Sequence, residues 1–385
     1  MKQLDKKGWK KVRFGEVCRN LNVTVKSPQE NGYDKVIGLE NIESGNLHIK
    51  AWGDIADGTT FTKTFKPGHV LFGKRRAYLK KAAVAEFKGL CSGDILVFEA
   101  IEKVLHPKLL PFIVSSDRFF EYAVKTSAGS LSPRTKFQDL ANFEFSLPPI
   151  DQQEKLAELL WAGNSVTISQ RQTANIINSL TNSLFKSYLN SKIEVKRIKL
   201  SDLIIEKPSY GANSPACNHK IGTPRYIRIT DIQDDGTLGN DIVGAETIDE
   251  KYLLENLDFL IARTADPGRT FLYKNDFGSC MYAGYLIRFK LNQNLINPEY
   301  LFLYSKTHEF RSWIIKMTKK GTVTNINAQE YLTLEVPVPD LLEQDKIIDK
   351  IKKLKYQEIE YRKFSQASQY LVNSMTNKIF GNNEF

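Results

Sequence analysis

The sequence has few cysteines, no long apolar run and little that resembles a catalytic motif. Its four cysteines are Cys18, Cys91, Cys217 and Cys280, and none of them form the short pairs typical of metal sites. This pattern indicates reduced thiols in a cytosolic protein and not a disulfide framework. No apolar run approaches the roughly 18 residues of a membrane span, and the charged start has no apolar core like that of a secretory signal. We therefore expect a cytoplasmic protein with no membrane partner.

Catalytic motifs are incomplete wherever they begin to appear. The segment GHVLFGKR approaches a phosphate-binding loop, but Arg75 replaces the hydroxyl residue that would hold Mg²⁺. Glu86 and Lys88 resemble half of a metal-dependent nuclease site, without an acidic partner upstream. The five histidines have no metal-ligand spacing, and there is no glycine-rich dinucleotide motif and no motif for adenine methylation. We expect no catalytic residue, no metal site and no cofactor bound by this chain.

What the sequence does contain is typical of folded domains with a basic surface. Of its 385 residues, 42% are hydrophobic and 25% are charged, so each domain can bury a core. The formal net charge is +10, and residues 1–150 hold 24 Lys and Arg against 16 Asp and Glu. Basic charge concentrated in one part of a chain favours a nucleic-acid partner.

An internal repeat is the strongest signal. EFSLPPIDQQEKL at 144–156 matches EVPVPDLLEQDKI at 335–347, at an offset of 191 residues. Upstream, GLCSGDILVF resembles GSCMYAGYLIRF, which aligns Cys91 with Cys280. Units of this length are duplicated domains and not a solenoid.

Each unit divides into an α+β domain of about 150 residues and a helical stretch. The domains are predicted at 1–150 and 192–339, and the long helices at 151–191 and 340–385. A helix of about 40 residues is about 60 Å long, which exceeds the width of such a domain. The two helices are therefore expected to pack on each other through apolar stripes. The stripes include Leu159, Leu160, Val166, Ile176, Ile177 and Leu180 in the first helix, and Ile347, Ile351, Leu371 and Ile379 in the second.

Basic and polar clusters recur at matched places in both units, while their residues differ. Arginine and lysine suit guanine edges or phosphates, and asparagine and threonine suit adenine edges or the DNA backbone. The alternative for any one cluster is a solvated charged loop. The candidate DNA contacts are Lys74, Arg75, Arg76, Tyr78, Arg134 and Lys136 in the first unit, and Arg263, Arg269, Lys319, Lys320, Thr322 and Asn325 in the second.

The segments LPPIDQQEKLAELL and VPDLLEQDKIIDKI, with Gly129 and Gly321 in the loops before them, resemble the specificity subunit of a type I restriction-modification enzyme. Gln152 and Asp340 depart mildly from the family pattern. The resemblance implies an α+β chain with two homologous α/β target-recognition domains, separated by two long antiparallel helices in a coiled coil with pseudo-two-fold symmetry. Each domain would read one half of a bipartite asymmetric DNA target, and the helices would set the spacer and dock modification subunits.

The resemblance also implies partners. They are double-stranded DNA, two DNA methyltransferase (modification) subunits per chain, and the restriction/translocase subunits of the full complex. This chain would be non-catalytic, and S-adenosylmethionine, ATP and Mg²⁺ would bind the partner subunits. The competing interpretation is a stand-alone bipartite DNA-binding or adaptor protein that has no methyltransferase partner.

Overall fold

The computed structural model describes residues 6–190, 195–318 and 325–381, which form two compact units. Unit 1 comprises Met1–Gln172 and Tyr361–Phe385, and unit 2 comprises Thr173–Glu360. Within these described ranges, every helix is too short or too polar to cross a membrane. The predicted α+β class with two homologous units and two long helices is confirmed.

Unit 1 is built on two four-stranded sheets. Its strands are β1 (Lys10–Arg13), β2 (Cys18–Leu21), β3 (Lys35–Ile37), β4 (Gly53–Asp54), β5 (Lys63–Phe65), β6 (Val70–Gly73), β7 (Ala82–Val84), β8 (Gly89–Cys91), β9 (Ile95–Ala100) and β10 (Glu144–Leu147). The first sheet has the order β2-β9-β6-β7 and the second has the order β4-β3-β8-β5, in which β3 and β8 are parallel. The strands β1 and β10 pair with each other in a separate two-stranded sheet.

Short helices cover the first sheet of unit 1. They are α1 (Phe14–Val17), α2 (Leu110–Ser115), α3 (Asp117–Lys125) and α4 (Phe137–Leu140). Their apolar faces meet the buried side of the sheet in an aromatic cluster. The Phe14 ring lies 5.3 Å from Phe98 and 4.8 Å from Phe119, and the Phe72 ring lies 5.5 Å from Phe119. Buried aromatic pairs of this kind hold the helices against the sheet.

Unit 2 repeats the first sheet of unit 1 and the parallel pair of the second, while its β13 and β15 pair in a separate two-stranded sheet. Its strands are β11 (Lys196–Lys199), β12 (Ser209–Tyr210), β13 (Ala216–Asn218), β14 (Arg225–Ile227), β15 (Val243–Ala245), β16 (Phe259–Ala262), β17 (Thr270–Leu272), β18 (Cys280–Tyr282), β19 (Leu286–Phe289) and β20 (Glu335–Val338). Its short helices are α6 (Pro298–Tyr304), α7 (His308–Thr318) and α8 (Ala328–Leu332). The sheet order β12-β19-β16-β17, the parallel pair β14 and β18, and the pair β11 and β20 match unit 1 element by element.

Strand register corrects one detail of the sequence repeat. The parallel ladder places Ile37 opposite Cys91 in unit 1, and it places the matching Ile227 opposite Tyr282 in unit 2. The alignment of Cys91 with Cys280 is therefore wrong by two residues, because the ladder and not the shared cysteine fixes the equivalence.

The two long helices, α5 (Ile150–Asn190) and α9 (Leu341–Phe380), each contribute to both units. In unit 1 they are antiparallel, because Gly163 lies against Val372 while the Ser365 hydroxyl donates to the Thr167 carbonyl at 3.0 Å. In unit 2, Phe185 of α5 packs in one core with residues of α9 near its start, among them Ile347 and Ile351.

The buried faces of the long helices contain only part of the expected apolar stripes. Of the expected residues, Leu160 and Ile177 of α5 and Ile347, Ile351 and Ile379 of α9 are buried, whereas Leu159, Val166, Ile176 and Leu180 are about half exposed. Other buried positions of α5 are small or polar, among them Ala157, Asn164, Thr167, Ala174 and Thr181. One set of buried positions in α9 recurs every seven residues, as in a coiled coil: Gln344, Ile351, Glu358, Ser365, Val372 and Ile379. Apolar periodicity alone misses the small and polar members of these faces, because close helix packing admits them.

A buried glutamine joins the start of α5 to unit 1. The Gln153 side chain is 1% exposed, and its Oε1 accepts a hydrogen bond from the His106 backbone N–H at 2.8 Å. Its Nε2 donates to the carbonyls of Val104 at 3.0 Å and Pro148 at 2.9 Å. One carboxamide therefore satisfies three buried backbone groups on two separate segments.

Gln344 makes the same contacts in unit 2, where it is fully buried. Its Oε1 accepts from the Asn297 N–H at 2.7 Å, and its Nε2 donates to the carbonyls of Leu295 at 3.1 Å and Pro339 at 2.8 Å. The glutamine shared by the two repeated segments is thus a structural clamp at each helix entry.

Replacing either clamp residue with leucine should destabilise its unit. Gln153→Leu and Gln344→Leu each leave three buried backbone groups without their partner, so we expect the free energy of unfolding to fall by at least about 2 kcal/mol. Urea unfolding followed by circular dichroism measures this loss. Gln357→Leu, at an exposed position of α9, is the matched control and should change stability by less than about 0.5 kcal/mol. Equal, small effects at all three positions would show that the clamps contribute nothing.

Candidate nucleic-acid interface

Three segments of unit 1 meet at one end of the central strands β6 and β9 of the first sheet. The Lys74 N–H donates to the Asp94 carbonyl at 2.9 Å, which joins the end of β6 to the start of β9. The Thr135 N–H donates to the Lys74 carbonyl at 3.0 Å, and the Arg76 N–H donates to the Pro133 carbonyl at 2.8 Å. The structure therefore brings together the two basic clusters that the sequence placed some 60 residues apart. We call this backbone arrangement the shared frame.

Asp94 organises the arginines at this end of the sheet. Its carboxylate accepts from Arg134 Nε at 2.7 Å and from Arg134 Nη2 at 3.2 Å. Arg75 Nη1 lies 3.5 Å from the same carboxylate, while Arg75 Nη2 donates to Ser132 Oγ at 3.3 Å. The hydrogen bond from Arg134 lowers the pKa of Asp94, so the carboxylate stays charged at neutral pH. Two of the predicted DNA contacts are thus held in place by one acidic residue.

The other candidates of unit 1 are more open. Arg76 has a left-handed backbone, with φ of 51°, and an exposed side chain. Tyr78 is 54% exposed on the same turn. Lys74 is half-buried, and Lys136 is exposed at the residue that precedes α4. Exposure and left-handed strain on one turn are typical of a binding loop.

Unit 2 repeats two of the three hydrogen bonds of this frame among its described residues. The Arg263 N–H donates to the Tyr285 carbonyl at 3.0 Å, and the Ile326 N–H donates to the Arg263 carbonyl at 2.9 Å. Ala265, with φ of 60°, occupies the left-handed position that Arg76 holds in unit 1. Arg263 is therefore the counterpart of Lys74, and Tyr285 is the counterpart of Asp94.

The side chains on the unit 2 frame differ from those of unit 1. The Arg263 guanidinium lies over the Tyr210 ring, 5.0 Å from its centroid, and Arg263 Nε donates to Asn325 Oδ1 at 3.3 Å. Arg269 is held by Asp266 at 2.8 Å and Asp234 at 3.0 Å. The remaining candidates, Lys319, Lys320 and Thr322, lie outside the described residues, as does Gly321.

Sequence reasoning missed Asp94 and Tyr285, although both come directly before the strand that the repeat aligned. Aligning the repeat on the strand instead of on the cysteines would have paired them, and would have shown that an acidic residue in unit 1 corresponds to an aromatic one in unit 2.

The candidate nuclease residue Glu86 has its carboxylate against His48 Nδ1. Across the described ranges, no three His, Cys, Asp or Glu side chains gather as a metal site would need.

Comparison with known proteins gives one family. The model described as "Type I restriction modification DNA specificity domain" matches residues 6–178 and again residues 192–367. A curated relative, the type I restriction enzyme EcoDI specificity subunit of Escherichia coli, is 26% identical over 213 residues. That match covers 53% of this chain and 47% of the relative, so the chain matches about half the length of this curated relative.

Two solved structures share the fold over nearly the whole chain. One, described as the structural basis of complex assembly and conformational transition of the type I R-M system, has a TM-score of 0.61 at 17% identity, with 97% of this chain and 96% of that chain covered. The other is the type I restriction-modification system S subunit from M. genitalium, with a TM-score of 0.60 at 12% identity and coverage of 100% and 99%.

Salt dependence should identify which basic residues contact phosphate. Arg76→Gln removes an exposed charge from the left-handed turn, so we expect the slope of log K against log salt for DNA binding to become shallower by about 0.9. Fluorescence anisotropy with a duplex at several salt concentrations measures the slope. Lys353→Gln, an exposed change of equal charge on α9, should leave it unaltered. If both variants shift the slope equally, the turn contributes only net charge.

Proposed function

The chain belongs to the family of type I restriction modification DNA specificity domains, and we propose that it is the sequence-specific DNA-binding subunit of a type I restriction-modification complex. Each unit reads one half of a bipartite, asymmetric target. The observation that carries this proposal is the shared frame: two equivalent backbone hydrogen bonds present Lys74, Asp94 and Arg134 in unit 1, and Arg263, Tyr285 and Asn325 in unit 2. A common backbone with different side chains suits two readers of different base sequences.

The long helices offer a docking surface for modification subunits. Their half-exposed apolar residues are too many for a solvated coiled coil: Leu159, Val166, Ile176 and Leu180 on α5, and Tyr356, Ile359, Phe364, Tyr370 and Leu371 on α9. Two methyltransferase subunits per chain would cover them. In this proposal the partners, with the restriction/translocase subunits, supply catalysis, S-adenosylmethionine, ATP and Mg²⁺, and the complex works on DNA in the cytoplasm. The double family match does not favour the stand-alone adaptor.

Exchanging one domain should change one half of the target. The boundaries 1–150 and 192–339 stay predictions, and a chimera tests them directly. Replacing residues 192–339 with the equivalent segment of another family member should alter one half-site of the methylated sequence, because the frame of unit 1 is untouched. Sequencing of methylated genomic DNA, with the chimera and its modification subunits co-expressed, gives the result. The reciprocal exchange of residues 1–150 is the control and should alter the other half. A change in both halves would contradict modular reading.

The long helices are also proposed to set the spacing of the half-sites. Inserting four residues after Leu180 in α5, and four at the antiparallel position near Lys353 in α9, lengthens both helices by about 6 Å. At about 3.4 Å per base pair, the unread spacer should grow by about 1–2 base pairs. Four residues make a stutter that a coiled coil tolerates.

Methylome mapping of this double-insertion variant measures the spacer, and insertion into one helix alone is the control that disturbs the seam without lengthening both helices. The bases of each half-site should stay the same, because the frames are unaltered. Retained methylation with an unchanged spacer would show that the helices do not act as the ruler.

A further inference from the structure

Unit 2 contains a cavity of about 860 Å³ beside its frame. Three tyrosines and one arginine of the frame line it, Tyr210, Tyr226, Tyr285 and Arg263, together with small residues such as Ala212 and Gly284. The volume falls within the range of small-ligand sites, which is roughly 300–1,000 Å³. The cavity opens at the position where the frame is expected to meet DNA.

The ion-pair cluster of unit 1 has no counterpart beside this cavity. In unit 1, Arg75 and Arg134 are bonded to Asp94. The frame hydrogen bonds place Tyr285 where Asp94 stands. By the same register, Thr264 replaces Arg75 and Asn325 replaces Arg134. Two long guanidinium side chains are thereby exchanged for shorter ones, beside a cavity that is lined by aromatic rings.

The floor of the cavity is closely packed backbone. A Cβ on Gly211 would lie 2.3 Å from the Tyr282 carbonyl oxygen, so no larger residue fits there. Ala212 is 4% exposed and Ala283 is 7% exposed. The Tyr226 hydroxyl donates to the Ala212 carbonyl at 2.7 Å, which fixes the Tyr226 ring as a wall. These contacts fix the floor and one wall of the cavity.

The mouth offers aromatic faces and one positive charge. Tyr285 is 64% exposed at the entrance. The Arg263 guanidinium lies over the Tyr210 ring, and among the described residues no carboxylate is within ion-pair distance of it. Planar faces bind planar rings by stacking, and a guanidinium beside them attracts an attached phosphate. Arg228 also lines the cavity, but its guanidinium forms an ion pair with the Asp231 carboxylate at 2.7 Å.

We propose that this cavity binds a single unstacked nucleobase of DNA, stacked on Tyr285, with its phosphate near Arg263. The inference rests on the proposed DNA recognition by unit 2 and adds to it a site that unit 1 does not share. A base leaves the helical stack at a cost of a few kcal/mol, which aromatic stacking can repay. Recognition in unit 2 then includes capture of a displaced base, while unit 1 reads through its fixed arginines.

A fluorescent base analogue tests the proposal on the full chain. The probe is a 12-nucleotide single-stranded DNA with one central 2-aminopurine, whose fluorescence is quenched when it stacks on an aromatic ring. The wild-type chain should quench it on binding. Tyr285→Ala should abolish most of the quenching and weaken binding about tenfold. Tyr285→Phe should retain both, because stacking needs the ring and not the hydroxyl. Tyr361→Ala, at an exposed tyrosine on α9 that lies in neither proposed binding surface, is the matched control and should behave as wild type.

Duplex binding by the same proteins separates this proposal from the one it rests on. If the chain binds duplex DNA but Tyr285→Ala quenches the probe as well as wild type does, base capture is wrong and DNA recognition stands. If neither DNA form binds, both proposals are overturned. Equal losses in Tyr285→Ala and Tyr361→Ala would also overturn the assignment of the cavity, since the effect would then belong to tyrosines in general.

Discussion

The buried carboxamide at the start of each long helix is the contact on which the rest of the structure depends. Gln153 and Gln344 each bond three backbone groups, and two of these belong to the loop that leads into the short helices of the unit. A side-chain amide has one acceptor and two donor hydrogens, so this arrangement uses it almost fully. Because the bonds are buried and directional, they fix the direction in which the helix leaves the unit.

Fixing the helix leaves the other edge of each unit free to vary. The frame is made of hydrogen bonds between backbone groups, which form whatever the side chain of a non-proline residue is, and its left-handed turn accepts Arg76 in one unit and Ala265 in the other. Side chains on the frame can therefore change from an ion-paired cluster around Asp94 to an aromatic cavity around Tyr285 without disturbing the sheets. Conserved backbone geometry beside variable side chains is how one fold supports different specificities.

The sequence alone predicts the repeat, the two long helices and the basic loops, because each rests on a local pattern. It does not predict which loops meet. Arg75 and Arg134 share Asp94 only because β6, β9 and the segment before α4 converge, and that convergence is set by strand pairing over long sequence separations. The polar part of the helix seam is missed for a similar reason. Buried Thr167 looks like a surface residue until Ser365 of the partner helix is placed beside it.

The polar seam has a physical consequence for any role as a spacer. Ser365 donates to the Thr167 carbonyl, and Ser368 donates to Gln170 Oε1 at 3.0 Å, so sliding one helix by a heptad would separate these partners and leave their polar groups buried unsatisfied. A seam of leucines would bind more tightly but would tolerate such a slip. A helix pair that measures distance needs one register more than it needs maximal stability. The small and polar seam therefore favours one register of the helix pair and so one distance between its ends. The apolar residues that lie outside the seam remain exposed and available to partner subunits.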